Sequence, residues 1–572
     1  MKAFPAIAFE NTTREANGRR YYSVSKLHHL LLSGERKAIL TIIAAGIAAI
    51  IPIIVWGIPS GGDLPNHFRF VQPFYESILN SHLYPGWLAE SNYGFGDARF
   101  RFYPPGLYYL LALFRSGAGW YRASVSAFAL LSVVGGLGAY FWARSSNSIN
   151  VAMAAGLLYM IAPYHLNELY QASLLSEYAA CSVLPFLFAF VERVCRRRNP
   201  GDVAGLAASY ALLVLTHLPL TVIGSLSVAL YALLLLSRER FWSTLTRLSL
   251  GVAIGLAASA FFWFTMLAEL PWIKGNSANQ NIYYDYRGNF LFSLSALTNR
   301  NTWYANLLGL AVLGMLLPVL VIVKKRALRA VFVVTIVSFL MTTELSHPLW
   351  LVIPKLRDVQ FPWRWLAITS LFGSTLLAAS LPRWKEILQH KVRPLHLVPI
   401  LGVVLALLFV TTQVVWDSDY LNRSSFDSLL ANSRTAASFK DWMPVWADDR
   451  VQTFAASERV EAGGRKITVT DWQPEHRQFQ IEAGSQTEAR LRTFYYPLWT
   501  ANAGGRELAI KPGVEGALVV EVPPQQTTVS IDFREPRRVT IARIVSLVGW
   551  VMILAIPFWR FKFRRTQQAV NY

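Results

Sequence analysis

The stretch that decides the fold is residues 39–58, ILTIIAAGIAAIIPIIVWGI, which carries no charged side chain. A helix of about 20 apolar residues is long enough to cross the hydrocarbon core of a bilayer. Two further runs, Ala123–Ala143 and Leu248–Ala268, have a similar length and also lack charges. The sequence therefore predicts a chain that crosses a membrane several times.

The overall composition agrees with this prediction. The chain has 572 residues, of which 53% are hydrophobic and 15% are charged, whereas soluble proteins average about 25% charged residues. The formal net charge of +20 comes from Lys and Arg clusters in short segments between apolar runs, where such residues set membrane topology. A soluble enzyme, a disordered chain and a nucleic-acid binder are excluded as first interpretations.

The positions of the basic clusters predict the topology. If all of them lie on the cytoplasmic side, both termini are cytoplasmic and the chain has twelve spans. The basic clusters lie at residues 14–37, 193–198, 238–247, 324–329, 383–393 and 560–565. The spans lie at about 39–58, 120–143, 149–164, 177–194, 203–217, 218–236, 243–267, 303–323, 329–343, 363–381, 394–415 and 541–559.

One apolar segment does not fit as a span. Pro104–Phe114 is only about 11 residues long, too short to cross a bilayer, and counting it would place the later basic clusters outside. We predict that it is a juxtamembrane or re-entrant helix on the outer surface. Its Tyr108-Tyr109 pair is typical of a membrane interface.

These features divide the chain into four parts: a basic cytoplasmic tail (1–38), a transmembrane domain (39–415) with a large outer loop (59–119), a polar outer domain (416–538), and a last span with a basic tail (539–572). From Val451 the outer domain alternates in the manner of strands, and Gly463-Gly464 and Gly504-Gly505 mark turns. The alternation predicts a small β-sandwich. A set of its aromatic residues is interpreted as core packing rather than as a sugar platform: Trp442, Trp446, Trp472, Tyr495, Tyr496 and Trp499.

Ionisable residues near membrane depth are costly and therefore informative. They collect at the outer ends of the predicted spans: Asp63 and His67 after the first span, His165, Glu168 and Glu177 around the fourth, His217 between the fifth and sixth, and Arg364 at the start of the tenth. They are far apart in sequence but share one depth, so we expect them to line one outward-facing cavity.

Several of these residues also have a structural interpretation. Asp63, two residues before a proline, is a plausible helix N-cap, and a capping residue can still be catalytic. His217 is followed by Leu-Pro, and a role as the cap of a helical hairpin is slightly favoured over a role in the site. Glu177 and Arg364 lie within or against apolar helices and need partners, while Arg99, Arg101 and Arg357 are also consistent with ordinary loop charges.

Other kinds of site have little support. The sequence has no phosphate loop, no Cys-x-x-Cys pair and no His-Glu-x-x-His motif, and its two cysteines, Cys181 and Cys195, indicate no disulfide framework. Because the predicted cytoplasmic loops are short, we expect no nucleotide-binding domain. An activated donor from the lipid phase or an ion gradient is then the expected source of energy.

Several motifs resemble those of a known family. They are DLPNH at 63–67, NYGFG at 92–96, FYPPGLYY at 102–109, PYH at 163–165, LTH at 215–217, QFPWR at 360–364, DWMPVW at 441–446 and FYYPLW at 494–499. The chain resembles the bacterial membrane proteins described as 6-pyruvoyl-tetrahydropterin synthase-related or YfhO-like. An acidic residue just after the first span, with juxtamembrane helices following it, also resembles the GT-C glycosyltransferases. A pterin synthase would need a three-histidine zinc site and a soluble fold, so that activity is set aside.

The GT-C resemblance implies transfer of a sugar from a polyprenyl-phosphate donor to an envelope glycan, lipid or protein at the outer face of the bacterial inner membrane. It implies that Asp63 accepts the proton of the acceptor hydroxyl or holds a metal. It implies that Arg364, with Arg357 and Arg101 behind it, stabilises the leaving phosphate. The residues available to orient the sugar are His67, His165, Glu168, Glu177 and His217.

No short acidic pair typical of many GT-C loops is evident, so a divalent cation stays an open expectation. Two other functions compete with the enzyme. A transporter or flippase of a lipid-linked sugar predicts inverted repeats and broken helices at the midplane, and the sequence has no repeat. A non-catalytic envelope assembly protein would depend on the 416–538 domain and tolerate loss of Asp63 and Arg364.

Overall fold

The computed structural model describes residues 33–80, 82–275, 285–294, 300–390, 392–433, 440–448 and 458–569. The predicted basic clusters at 14–37 and 560–565 lie largely outside the residues whose side chains are described. The described chain is mostly helical, with a β domain near its C-terminal end.

Within these residues, ten helices are long and apolar enough to cross a membrane. They are Gly34–Trp56, Trp120–Ala143, Ile149–Tyr170, Leu175–Arg196, Leu218–Leu235, Arg238–Ala258, Trp303–Ile322, Pro362–Gln389, Pro394–Trp416 and Arg537–Ile556. Each coincides with one of the twelve predicted spans. The other two predicted spans are the shorter apolar helices Pro200–Thr216 and Arg329–Leu340.

In the part of the chain that the structure describes, three of the predicted spans consist of two successive α-helices. The first consists of Ser33–Ala48 and Ile51–Trp56, and Pro52 lies in the first turn of the second piece, where a proline costs no helical hydrogen bond. The third consists of Ile149–Met160 and Pro163–Tyr170. The helix Phe241–Ala258 is followed directly by Ala260–Glu269.

The remaining helices lie at the ends of the spans. Gly106–Arg115 has ten residues, which agrees with its prediction as a helix too short to span. Leu64–Leu79 follows the first span, and its buried residues face a shared core with Gly106–Arg115. The others are His347–Val352, Pro354–Arg357 and Arg423–Ser433.

Within the described ranges, eleven strands form three antiparallel sheets. They are β1 Ile58–Pro59, β2 Tyr420–Leu421, β3 Val460–Glu461, β4 Ile467–Trp472, β5 His476–Ile481, β6 Thr487–Phe494, β7 Trp499–Ala503, β8 Arg506–Leu508, β9 Ile510–Pro512, β10 Ala517–Val522 and β11 Thr527–Phe533. β1 pairs with β2. This pairing joins the segment directly after the first span to the segment directly after the span that ends at Trp416.

The β domain contains a sheet of order β3-β6-β10-β9 and a sheet of order β4-β5-β11-β7-β8. Buried residues of both sheets belong to one hydrophobic core. Gly504 and Gly505, both with positive φ, form the two-residue turn between β7 and β8, which is the turn that their sequence predicts. Trp87, Phe95 and Phe102 of the outer loop enter the same core, so this loop and the β domain pack as one body.

Candidate active site

Asp63 lies in a turn that is held from two sides. The backbone N–H of Gly61 donates to Ser173 Oγ at 2.9 Å, and this hydroxyl donates to the carbonyl of Pro59 at 3.1 Å. Asp63 occupies the N-cap position of Leu64–Leu79, yet its side chain makes no capping bond to the backbone. Its Oδ1 accepts a bond from Asn66 Nδ2 at 3.3 Å. The carboxylate therefore has capacity for a further partner.

His67 lies one helical turn after Asp63 and is 1% exposed. Its Nδ1 is 3.4 Å from the hydroxyl of Tyr108, and its Nε2 is buried without a hydrogen-bond partner among the described residues. Burial lowers the pKa of His67 to about 4, although the nearby negative charge of Asp63 opposes this shift. The imidazole is therefore neutral at physiological pH and can accept or donate one hydrogen bond through Nε2.

Tyr103 and Tyr108 also belong to this site, although neither is among the site residues predicted from the sequence. Tyr108 is buried rather than at the membrane interface, because Gly106–Arg115 turns this face towards Leu64–Leu79. Burial raises the pKa of Tyr103, and the negative charge of Asp63 raises it further. The FYPPGLYY motif contained both tyrosines, and the Pro-Pro-Gly start of the short helix was a signal that the chain turns here.

Glu177 and Arg364 form a buried ion pair between two spans. Arg364 Nε donates to Glu177 Oε2 at 3.0 Å, and the side-chain exposures are 8% and 0%. The other carboxylate oxygen, Oε1, accepts the Tyr164 hydroxyl at 2.6 Å. Arg364 Nη1 donates to the carbonyl of Val359 at 2.6 Å. The two residues that needed partners on the sequence evidence are therefore partners of each other.

The backbone beside Arg364 is conformationally unusual. Gln360 has φ +69°, in the left-handed region that L-residues other than glycine rarely adopt. This conformation precedes the short 3-10 turn Pro362–Trp365, which carries Arg364. Non-glycine residues with such backbone angles cluster at functional sites, and Ser173, which holds the Asp63 turn, also has a positive φ of +49°.

His217 caps the helix Leu218–Leu235, as its sequence predicts. The backbone N–H of Leu220 donates to its Nδ1 at 3.3 Å. Because Nδ1 accepts, the ring proton of the neutral imidazole is assigned to Nε2. This nitrogen lies 3.7 Å from Glu177 Oε2, so His217 is both a cap and a neighbour of the ion pair.

Glu168 and His165 lie on the short helix Pro163–Tyr170. Glu168 is 2% exposed; its Oε1 accepts Asn167 Nδ2 at 3.1 Å, and its Oε2 has no partner in the described part of the chain. The His165 ring lies between Tyr159 and Tyr178, with centroid distances of 4.8 and 4.7 Å. Neither ring nitrogen of His165 has a hydrogen-bond partner among the described residues.

The charges of this group interact with one another. Asp63 lies within electrostatic range of Glu168 and Glu177, and Glu168 within range of Arg364. The structure thus brings together residues from five separate segments, which we call the charged cluster: Asp63, His67, Glu168, Glu177, His217 and Arg364. His165 lies on the same short helix as Glu168.

Two predicted arginines lie elsewhere. Arg101 has no exposed side-chain surface and pairs with Glu269 and Glu535, so its charge is already compensated by two carboxylates. Arg357 is exposed, and it donates to the carbonyls of Trp350 at 3.3 Å and Leu351 at 2.7 Å. Glu269 and Glu535 cannot be recognised from the sequence, since nothing local marks them as partners of Arg101.

The aromatic residues of the outer domain are divided between two environments. Tyr496 and Trp499 are buried in the β core, Trp446 packs on Tyr495 at 4.9 Å, and Trp472 lies under Arg477 at 4.7 Å. Trp442 packs on Phe70 and Tyr103 of the outer loop. In the described residues, no group of three or more His, Cys, Asp or Glu side chains is arranged to hold a metal ion.

Several solved structures are similar to this chain. The arabinofuranosyltransferase AftD from Mycobacteria is 16% identical with a TM-score of 0.44, and the match covers 66% of this chain and 27% of AftD. The apo oligosaccharyltransferase of Archaeoglobus fulgidus is 14% identical with a TM-score of 0.37, and coverage is 70% and 56%. ArnT from Cupriavidus metallidurans is 14% identical with a TM-score of 0.31, and coverage is 75% and 96%.

The chain therefore spans about a quarter of the length of AftD and just over half of the oligosaccharyltransferase. No curated protein sequence matches it significantly. Residues 100–419 match the family described as "6-pyruvoyl-tetrahydropterin synthase related domain; membrane protein". This match includes Arg101, most of the charged cluster and ten of the predicted spans. Because it extends over more than half of the chain, the protein belongs to the 6-pyruvoyl-tetrahydropterin synthase related family of membrane proteins.

Proposed function

We propose that this protein is a membrane glycosyltransferase of the GT-C type, which transfers a sugar from a polyprenyl-phosphate donor to an acceptor of the bacterial envelope. The observation that carries the proposal is the charged cluster. The cluster combines the Asp63 carboxylate, which is not used as a helix cap, the neutral His67 imidazole one turn away, and the buried Arg364 guanidinium. All three lie at the same end of the helices as the β domain.

Asp63 is the proposed base. In the transfer, an acceptor hydroxyl oxygen bonds to the anomeric carbon of the donor sugar while the bond from that carbon to the phosphate oxygen breaks. The hydroxyl proton passes to Asp63, and the phosphate leaves with the electron pair of the broken bond. General bases act within hydrogen-bond reach of the proton they remove, and the Asp63 carboxylate has Asn66 as its one hydrogen-bond partner among the described side chains.

Arg364 is the proposed ligand of the phosphate. A guanidinium has five N–H donors; Nε and Nη1 of Arg364 are engaged by Glu177 and Val359, and no described residue accepts a bond from Nη2. A positive charge in a buried site stabilises a developing anion more strongly than one in water. Glu177 then orients the guanidinium, and His217 lies against the same carboxylate.

The remaining polar groups are proposed to bind the transferred sugar. Glu168 Oε2 and His67 Nε2 are buried atoms without partners in the described residues, and buried polar atoms normally have one. Sugar hydroxyls both donate and accept hydrogen bonds, so they satisfy a carboxylate and a neutral imidazole equally well. His165 joins this set through its unpartnered ring nitrogens.

Native mass spectrometry of the purified protein tests the proposal. We expect a polyprenyl phosphate or its glycoside to co-purify with the wild type and with Arg357→Ala, whose guanidinium lies outside the cluster. Arg364→Ala should lose this lipid. Because that variant leaves Glu177 unpaired, the double variant Glu177→Gln/Arg364→Gln, which removes both charges, is examined beside it.

The lipid found by this experiment identifies the sugar to use in a transfer assay. Asp63→Asn should abolish transfer while leaving the bound lipid in place, and Asp358→Asn, in an exposed ion pair, serves as the control. The assay is run with and without EDTA, because the sequence leaves open whether transfer needs a divalent cation. If all variants carry only bulk phospholipid in equal amounts, the proposed glycosyltransferase function is contradicted and the non-catalytic assembly protein is favoured. Retained transfer in Asp63→Asn would show that Asp63 is not the base.

A further inference from the structure

A short segment links the β domain to the charged cluster. Residues 440–448, which we call the bridge segment, begin with the 3-10 turn Lys440–Trp442. Met443 and Ala447 are buried in the core of the β domain. The carbonyl of Met443 accepts the backbone N–H of Lys274 at 3.0 Å, and the N–H of Val445 donates to the carbonyl of Trp272 at 3.0 Å. The bridge segment is therefore fixed to both neighbours by its backbone and its core residues.

Trp442 lies between two cores: it packs against the core of the β domain and against the core shared by the outer loop and the first helices. Its ring lies 5.4 Å from the ring of Phe70 and 5.4 Å from that of Tyr103, at steep angles of 66° and 90°. The indole is neither buried nor fully exposed. A large aromatic ring that is held edge-on by two others yet keeps part of its surface accessible is suited to contact a ligand.

The rings beneath Trp442 lead directly to the charged cluster. Tyr103 stacks on Phe70 at 5.0 Å and packs against His67 at 6.1 Å. The charges of Asp63, Glu177 and Arg364 all act on the Tyr103 hydroxyl. Trp442 is therefore separated from the proposed base by a single aromatic layer.

Asp441, the residue before Trp442 in the same 3-10 turn, supplies a polar group. Its side chain is half-buried, and burial raises its pKa. In the described part of the chain, no basic side chain pairs with it and no donor is bonded to its carboxylate. A half-buried carboxylate without such partners favours a ligand that donates hydrogen bonds to it.

An aromatic ring and an adjacent carboxylate together define the chemistry of the ligand. A pyranose or furanose ring has an apolar C–H face, which packs on an indole, and hydroxyl groups, which donate to a carboxylate. A phosphate or another anionic group would be repelled by Asp441. A peptide strand would instead need backbone partners, and Ile273–Pro444 is already an internal bridge of the protein.

We propose that Asp441 and Trp442 form the acceptor subsite of the charged cluster and that the acceptor is a neutral carbohydrate. This inference rests on the proposed glycosyltransferase function and deepens it. Trp442 stacks on the acceptor sugar and Asp441 accepts hydrogen bonds from its hydroxyls. The acceptor extends past the edge of Tyr103, so that its reacting hydroxyl comes within hydrogen-bond reach of Asp63. The β domain then takes part in acceptor selection through the bridge segment.

Saturation-transfer NMR tests the subsite directly. The full-length protein is placed in nanodiscs, its aromatic protons are irradiated, and the C–H signals of a panel of neutral methyl glycosides are recorded. We expect transfer to at least one glycoside in the wild type. Trp442→Ala should weaken that binding by about tenfold or more, as truncation of a central aromatic anchor does, and the isosteric Asp441→Asn should also weaken it.

Trp446→Ala is the matched control, because Trp446 belongs to the same segment but packs on Tyr495. Equal signals in the wild type, Trp442→Ala and Asp441→Asn would overturn the proposal, as would stronger binding of an acidic peptide or of a lipid phosphate to the same two residues. The experiment requires no transfer reaction. Sugar binding that depends on Trp442 in a protein without transferase activity would therefore contradict the proposed function and leave the subsite standing.

Discussion

Arg364 and Glu177, which are 187 residues apart in the sequence, form an ion pair at 3.0 Å with almost no solvent exposure. Charges buried in this way have lost their hydration, and each depends on the other for compensation. The pair also fixes two spans, Leu175–Arg196 and Pro362–Gln389, relative to each other. It is therefore both a structural element of the membrane domain and the proposed phosphate ligand.

We expect removal of one partner to destabilise the protein strongly. Arg364→Ala or Glu177→Ala leaves an uncompensated buried charge, which costs about 3–5 kcal/mol. The double variant Glu177→Gln/Arg364→Gln should recover most of this stability but none of the lipid binding. Thermal unfolding in detergent measures the first effect. If the loss of stability in the double variant equals the sum of the losses in the two single variants, the two charges do not compensate each other.

The buried imidazole of His67 predicts a pH dependence of stability. Its pKa is about 4 in the folded protein and 6.5 in a model peptide, so the unfolded chain takes up a proton at a higher pH than the folded chain. Stability should therefore be unaffected by this group above pH 6.5 and should fall as the pH drops from 6.5 towards 4. The full difference corresponds to about 3 kcal/mol.

His67→Gln should remove this component and flatten the curve of unfolding temperature against pH over that range. His390→Gln, which changes an exposed histidine bonded to a backbone carbonyl, is the control for the substitution itself. A His67→Gln curve identical to that of the wild type would show that the imidazole titrates normally.

The positions of the spans could be predicted from the sequence because hydropathy and length are local properties. All twelve predicted spans contain helix, and Gly106–Arg115 is as short as predicted. The cluster was also accessible to prediction, since a charge is tolerated near membrane depth only in a shared polar site. Asp63, Glu177 and Arg364 could be grouped for that reason before any contact between them was known.

Pairings between distant segments could not be predicted in the same way. Arg101 was expected near the phosphate, but its partners are Glu269 and Glu535, and nothing local in the sequence distinguishes those two carboxylates from other acidic residues. Tyr108 was expected at the membrane interface, and its burial depends on how Gly106–Arg115 packs on its neighbours. Such features follow from the packing of the whole chain rather than from a motif.

The junction between β1 and β2 predicts a severe effect at one glycine. Gly57 has φ +123°, and a Cβ there would lie 2.1 Å from the carbonyl oxygen of Leu421. Gly57→Ala combines a disfavoured backbone angle, which costs about 1–3 kcal/mol, with a clash against main chain. We expect a clear drop in unfolding temperature. Gly62→Ala, where a Cβ meets nothing within 4 Å, should have little effect, and equal behaviour of the two variants would contradict the β1–β2 pairing.

The network around Arg101 predicts how the β domain is held on the membrane domain. Arg101 Nη2 donates to Glu269 Oε1 at 2.6 Å and Nη1 to Glu535 Oε1 at 2.9 Å, while the Tyr496 hydroxyl donates to Glu269 Oε2 at 2.9 Å. The outer loop, the helix Ala260–Glu269 and the end of the β domain thus meet at one guanidinium.

Arg101→Ala should leave Glu269, whose side chain has no exposed surface, without its main counter-charge and destabilise the protein by about 3–5 kcal/mol. Because the lost contacts join the β domain to the helices, we expect limited proteolysis to cut the chain near residue 535 faster than in the wild type. Arg101→Ala/Glu269→Gln should restore part of the resistance, since a neutral amide costs less to bury than an unpaired carboxylate. Lys355→Ala, at an exposed ion pair, should be cut at the wild-type rate. Equal cutting of Arg101→Ala and the wild type would show that the β domain is held by its apolar contacts instead.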